Sequence, residues 1–253
     1  RGMSAQIHWM EGKTLPTHKL MLFAVPGLGN VGTLVLDTLV EHYESTQIAM
    51  ILHPDLPPHA ILSDDGLLVP PHLGIHSVVL PTGETMIAII GIGQPMLPRG
   101  QHEVAESILG LAEEAGTEML LVLAGQSAEI GEEDVHITCA NADVRNALTE
   151  AGISIATEHP RGGMLGLAGL LVSLAPLHGV PSASCAAQTI GTSVDVLAAD
   201  RLARRISLDF GLGIDLPIDN TSETAARLIS MMEGKEIAGI DLSEEDTGAG
   251  FYA

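Results

Sequence analysis

Val25-Pro26-Gly27-Leu28-Gly29-Asn30-Val31-Gly32 sets three glycines in the spacing G-x-G-x-x-G. Between a strand and a helix, that spacing suits a dinucleotide. The first glycine turns the chain, the second lets backbone approach a pyrophosphate, and the third packs the helix close. The helix N-terminus would then face the anion. Gly27, Gly29, Asn30 and Gly32 are therefore the candidate ligand-binding turn. The same glycines also serve a structural end, a sharp strand-to-helix turn with close packing. The acid expected at the end of the next strand is missing: His53-Pro54 stands there, with Asp55 just beyond. No later residue pair reads as a hydride-transfer site, so no cofactor is expected.

Other reactive residues form no complete set. Among eleven histidines the best group is His53, Asp55 and His59, but Pro54, Pro57 and Pro58 interrupt any ladder that would fix their side chains. No H-E-x-x-H or Cys/His ligand spacing appears, so no metal is expected. Gly125-Gln126-Ser127 follows a strand but lacks the second glycine of a nucleophile elbow. Cys185 has no motif around it and reads as a buried structural thiol. Arg161-Gly162-Gly163 and Gly191-Thr192-Ser193 precede helices and could hold an anion or simply turn the chain.

The elements that would position these residues follow from apolar spacing. Leu20 to Val25 reads as a buried strand, 30–43 as a helix and Gln47 to Leu52 as a strand, which predicts a parallel pair with a right-handed crossover. His53 to Leu73 is Pro-rich and reads as irregular. Ile75 to Leu80 and Thr85 to Ile90 form a hairpin around Pro81-Thr82-Gly83-Glu84. A helix over 101–115, a strand over 118–124 and an acidic loop over 125–133 come next. Then follow a strand over 135–138, a helix over 143–151 closed by Gly152, a helix over 163–177 and a strand over 182–187. A long helix over 194–210 carries Asp195 in its first turn, and 221–233 is the last helix. Residues 3–242 read as a single α/β domain and 243–253 as an acidic tether with two glycines.

Composition narrows the function classes. With 32 acids against 11 bases the net charge is −21, which disfavours nucleic acid and anionic membrane surfaces. No apolar stretch is long enough to span a bilayer. Arg1-Gly2 ahead of Met3 reads as a vector-derived scar. The residues after Met3 show neither the basic region nor the apolar run of a signal peptide. Two cysteines make no disulfide framework, so a reducing, cytoplasmic setting is expected. Only six residues are aromatic, yet two of them, Phe251 and Tyr252, sit just before Ala253. Aromatic side chains on an acidic tether do nothing for a core and cost solubility, which favours docking on a partner.

Pro26 to Gly32, the Pro-rich segment after the second strand, Gly91-Ile92-Gly93-Gln94-Pro95, and Gly162 to Gly169 resemble, in order and spacing, the proteasome assembly chaperone (PAC-two) family. Asp195 also sits in a family-like context. The resemblance runs from about Leu20 to Leu228. It implies a three-layer α/β/α sandwich with a mixed sheet, phosphorylase/hydrolase-like, and a non-enzymatic homo-oligomer. Phe251-Tyr252-Ala253 is similar to the HbYX tail (hydrophobic, Tyr, any residue, free carboxylate) of proteasome-binding proteins. By that resemblance Phe251 fills an apolar slot between proteasome α subunits. Tyr252 packs there and hydrogen-bonds through its hydroxyl, and the Ala253 carboxylate meets a lysine. Two other readings stand beside this one. One is an enzyme holding a nucleotide or phosphorylated substrate at Gly27–Gly32; the other is a small-molecule-binding or structural α/β protein whose last residues carry no function.

Overall fold

A computed structural model describes residues 5–63, 65–156 and 163–218. Its strands in chain order are β1 (Gln6–Trp9), β2 (Leu20–Ala24), β3 (Ser45–Leu52), β4 (Ile61–Leu62), β5 (Leu68–Val69), β6 (Leu73–Val79), β7 (Thr85–Gly91), β8 (Met119–Ser127), β9 (Val135–Cys139) and β10 (Ser182–Thr189). Its helices are α1 (Val31–His42), α2 (Pro98–Ala115), α3 (Ala142–Glu150), α4 (Gly166–Leu174) and α5 (Val196–Asp209).

Eight strands share one mixed sheet in the order β1-β3-β6-β7-β2-β8-β10-β9. The four central strands, β7, β2, β8 and β10, run parallel. Their sequences explain the placement. β2 is buried at every position and β8 at seven of nine, as strands covered on both faces must be. Alternate residues feed two cores. Leu22, Leu121, Cys185 and their neighbours face α1, α3 and α5. Met21, Phe23, Val122 and theirs face α2 and α4. The result is the expected three-layer α/β/α sandwich.

The predicted parallel pairing of the first two sequence-predicted strands, here β2 and β3, is wrong. β3 lies antiparallel to β6 and β1, and the β6–β7 hairpin stands between it and β2. The reason lies in burial. Met86 to Ile89 are fully buried and so take the place beside β2. Gln47 and Met50 of β3 are only half-buried and suit a strand nearer the edge. The hairpin itself is as expected, with Gly83 at φ 84° and its N–H donating to the Leu80 carbonyl at 2.8 Å.

Four further differences appear. β1 pairs with β3 although its four residues gave no strand signal. The Pro-rich segment read as irregular holds the short β4–β5 hairpin. β8 runs on to Ser127, so Gly125-Gln126-Ser127 is strand rather than the start of an acidic loop. α4 begins at Gly166, later than predicted, and a 3-10 turn, Ala175–His178, completes that segment. Asp195 is the N-cap of α5: its carboxylate accepts from the Ala198 N–H at 2.9 Å. The helix predicted over 221–233 and the tether over 243–253 lie outside the described residues. Among the described residues no helix is long and apolar enough to cross a membrane.

Candidate functional site

The Gly27–Gly32 turn sits at the carboxyl end of β2, where open parallel sheets place ligands. Gly27 is extended and Gly29 is left-handed at φ 61°. Asn30 follows at φ 47°, the one non-glycine residue with positive φ among those described. Asparagine tolerates that conformation better than most side chains.

What surrounds the turn decides what it can hold. A Cβ on Gly29 would lie 2.9 Å from Thr189 Oγ1 and 3.1 Å from the Asp195 Cβ. Thr189 Oγ1 donates to Asp195 Oδ2 at 2.7 Å, and the Asp195 N–H donates to the Gly29 carbonyl at 2.8 Å. Asn30 Nδ2 donates to the Ser193 carbonyl at 2.7 Å, leaving its Oδ1 buried and unpaired. β10 and the start of α5 thus close over the turn with the Asp195 carboxylate, and the turn's own Asn30 adds an orphan acceptor. Both are groups that repel a phosphate. Close packing gives Gly32 a structural reason of its own. A Cβ on Gly32 would sit 2.3 Å from the Leu123 carbonyl oxygen, and one on Gly125 2.2 Å from that of Leu28.

A second junction joins Gly91–Pro95 to Gly163–Gly169. Gln94 Oε1 accepts the Leu167 N–H at 3.0 Å and so caps the start of α4. Gly166 is left-handed at φ 73°, and an added Cβ would meet Gln94 Oε1 at 2.6 Å. The chain folds back on α4 so closely that a Cβ on Gly169 would stand 2.2 Å from the Met164 carbonyl. Gln94 carried no signal of its own beyond its place in a Gly/Pro loop. Gly191, Thr192 and Ser193 form the exposed loop before α5. Arg161 and Gly162 lie outside the described residues.

The histidine and cysteine candidates are accounted for by structure. Asp55 N–H donates to His53 Nδ1 at 3.1 Å, so His53 Nε2 carries the proton and donates to Glu103 at 2.9 Å. Asp55 Oδ2 accepts the Leu97 N–H at 2.6 Å at the start of α2. His53 and Asp55 therefore brace α2. The His53 hydrogen bond, then Arg99, holds the Glu103 carboxyl below its ordinary range. Among the described residues no three His, Cys, Asp or Glu side chains, His59 included, form a group that could hold a metal. Gln126 is fully buried and bonds His136 at 2.8 Å, while Ser127 is exposed. Burial pushes the Cys185 thiol far up, and Asp209 and Cys139 add to it, so no nucleophilic thiolate forms there.

His76 gives a pH dependence. Burial, helped by neighbouring His72, pushes its imidazolium from 6.5 down to about 4. The unfolded chain then binds a proton that the folded chain refuses between those values. Stability is unaffected by this group above about pH 6.5 and falls as pH drops toward 4. At pH 5 the loss is on the order of 1–2 kcal/mol. Urea unfolding at pH 7 and pH 5 should show that loss, and His76→Gln should remove most of it. An equal pH slope in the variant would rule His76 out as the cause.

Phe251, Tyr252 and Ala253 lie outside the described residues. Comparison with known proteins bears on the rest of the chain. Residues 21–234 match the profile of the PAC2 family. An uncharacterized protein of Methanocaldococcus jannaschii is 29% identical over 182 residues, covering 71% of this chain and 69% of its own length. The fold is similar to Pyrococcus furiosus PbaB, an archaeal proteasome activator. There the TM-score is 0.75 at 20% identity, over 94% of this chain and 100% of that one. It is also similar to P. furiosus PbaA, an archaeal homolog of proteasome-assembly chaperone, with TM-score 0.73 at 20% identity over 93% and 99% of the two chains.

Proposed function

The chain belongs to the PAC2 family, and on that premise we propose that it is a non-enzymatic proteasome-binding protein, an assembly chaperone acting in the cytoplasm. It docks Phe251-Tyr252-Ala253 into pockets of the proteasome α-ring. The observation that carries this reading is the pairing of a family match over 21–234 with a terminal Phe-Tyr-Ala on an acidic, glycine-bearing segment. The activator and chaperone homolog with the same fold support it. So does the glycine turn, whose close contacts give the glycines a packing purpose without a nucleotide. The test is recovery of proteasome α subunits on the immobilised protein, with and without the last three residues. Equal recovery from both forms refutes the docking role.

We also propose that the protein works as a homo-oligomer. The β4–β5 hairpin supports this. Leu62, Leu67 and Leu68 are 69%, 62% and 72% exposed, an apolar cluster that water disfavours. Several tails on one assembly would raise ring affinity through effective concentration, where one short peptide binds weakly. Light scattering should give a multiple of 26.4 kDa, and Leu68→Asp should move the mass toward that single-chain value. A single-chain mass for the unaltered protein at micromolar concentration removes this part of the proposal.

A further inference from the structure

Between the start of α2, the start of α4 and the β9–β10 edge of the sheet lies a cavity of about 620 Å³. That is within the range of pockets that take small organic molecules, roughly 300–1,000 Å³. Met164, Leu165, Leu170, Val172 and Ala140 supply apolar walls. Gly163 also lines it, and a Cβ there would meet nothing within 4 Å. On the sheet side, Ser184 of β10 and Thr138 of β9 stand opposite each other in the ladder, so both project from the same face.

Ser184 distinguishes this cavity from a packing fault. It is only 3% exposed, and its hydroxyl is buried with no hydrogen-bond partner. An unpaired buried hydroxyl costs about 1–3 kcal/mol, a cost that selection has no folding reason to retain. Alanine would fit the strand as well, as Ala183, Ala186 and Ala187 around it show. The rest of the lining is mainly apolar, with Gln101, His102, Thr138 and Ser173 as its other polar residues. No Lys, Arg, Asp or Glu lines the cavity among the described residues, and its one histidine, His102, is exposed to solvent, so an ion held among the apolar walls would find no buried counter-charge.

We infer that this cavity binds an uncharged, mainly apolar small molecule carrying one hydrogen-bonding oxygen, which pairs with the Ser184 hydroxyl. The apolar body lies along Met164 and Leu170, and Met164 adapts to its shape. The framework is braced for this. Gln94 fixes the start of α4, and the close approach of Met164 to Gly169 fixes the wall. This inference does not depend on the docking role proposed for the terminal peptide.

The test uses the full-length protein and two kinds of probe. Diphenylhexatriene, a hydrocarbon dye, reports the apolar space. Decan-1-ol, decanoate and decylammonium, matched in length, compete for it. The dye should bind saturably at one site per chain, and decanol should displace it at least tenfold more effectively than either ion. Ser184→Ala should weaken decanol about tenfold, leave dye binding unchanged, and unfold no earlier than the unaltered protein, because it removes an unsatisfied group. Leu170→Trp should fill the space and abolish dye binding. The inference is overturned if the folded protein shows no saturable dye binding, or if decanoate competes as well as decanol. Ser184→Ala binding decanol at full strength overturns it as well. Dye binding that appears only as an oligomer dissociates on dilution also overturns it, because the cavity would then be an interface between copies of this chain.

Discussion

Removal of Phe251 to Ala253 is expected to abolish binding to proteasome α-rings while leaving the thermal midpoint nearly unchanged. The two halves of this result test different things. Loss of binding tests the docking role; the unchanged midpoint tests whether these side chains belong to the protein's own core. Tyr252→Ala should do almost as much as the deletion. A buried aromatic anchor is worth about 2 kcal/mol or more at an interface, roughly thirtyfold in affinity, and an assembly carrying several tails multiplies that loss. One residue added after Ala253 should also weaken binding, since it moves the carboxylate away from the lysine that the proposed docking requires. Raising salt should weaken the carboxylate contribution and leave the packing of Phe251 intact. Surface plasmon resonance on immobilised α-rings reads all four. A deletion variant that binds as tightly as the intact chain ends the proposal. A fall of many degrees in its midpoint would instead place Phe251 and Tyr252 in the core.

Which parts of the molecule were legible in sequence follows from what each segment must bury. β2, β7 and β8 are continuous apolar runs because both faces are covered, and such runs are visible without partners. α1 and α2 show their buried face at helical spacing, as at Val104, Ile108, Leu111 and Ala112. Strand order was not legible. β3 follows α1 directly, and only the hairpin that displaces it from β2 reveals its place. β1 has four residues, with Ile7 and Trp9 half-buried, too short a pattern to register. At the site, glycine spacing located the turn but not its use. Only the structure reveals how close Thr189 and Asp195 come to Gly29, and the Leu123 carbonyl to Gly32. Ser184 sits in a run of small residues, Ser182-Ala183-Ser184-Cys185-Ala186-Ala187, where nothing marks one hydroxyl as unpaired. That property depends on α4 and β9, which are distant in sequence.

The packing role of the turn leads to the second large effect, Gly32→Ala. Helix propensity alone would favour this change, since alanine in a helix is better than glycine by about 1 kcal/mol. Gly32 lies in the first turn of α1, where that preference ought to apply. The added methyl, however, would stand 2.3 Å from the Leu123 carbonyl oxygen and 2.7 Å from its carbon. Both are backbone atoms of a central strand held on either side by β2 and β10, so the strand cannot yield. α1 must move away from β8, loosening Val31, Leu34 and Val35, which are at most 1% exposed. Overpacking costs about 1–3 kcal/mol, and against backbone that cannot yield the upper end applies, enough to outweigh the propensity gain. Gly110→Ala is the control. It lies within α2, and its Cβ would meet nothing within 4 Å, so it should gain about 0.5–1 kcal/mol. The two substitutions are chemically identical and opposite in sign because one glycine is pressed against backbone and the other is not. Urea unfolding of both variants beside the unaltered protein measures the difference. If Gly32→Ala proves as stable as Gly110→Ala, close helix–sheet contact is not why the glycine is there, and a ligand at the turn again becomes the better explanation.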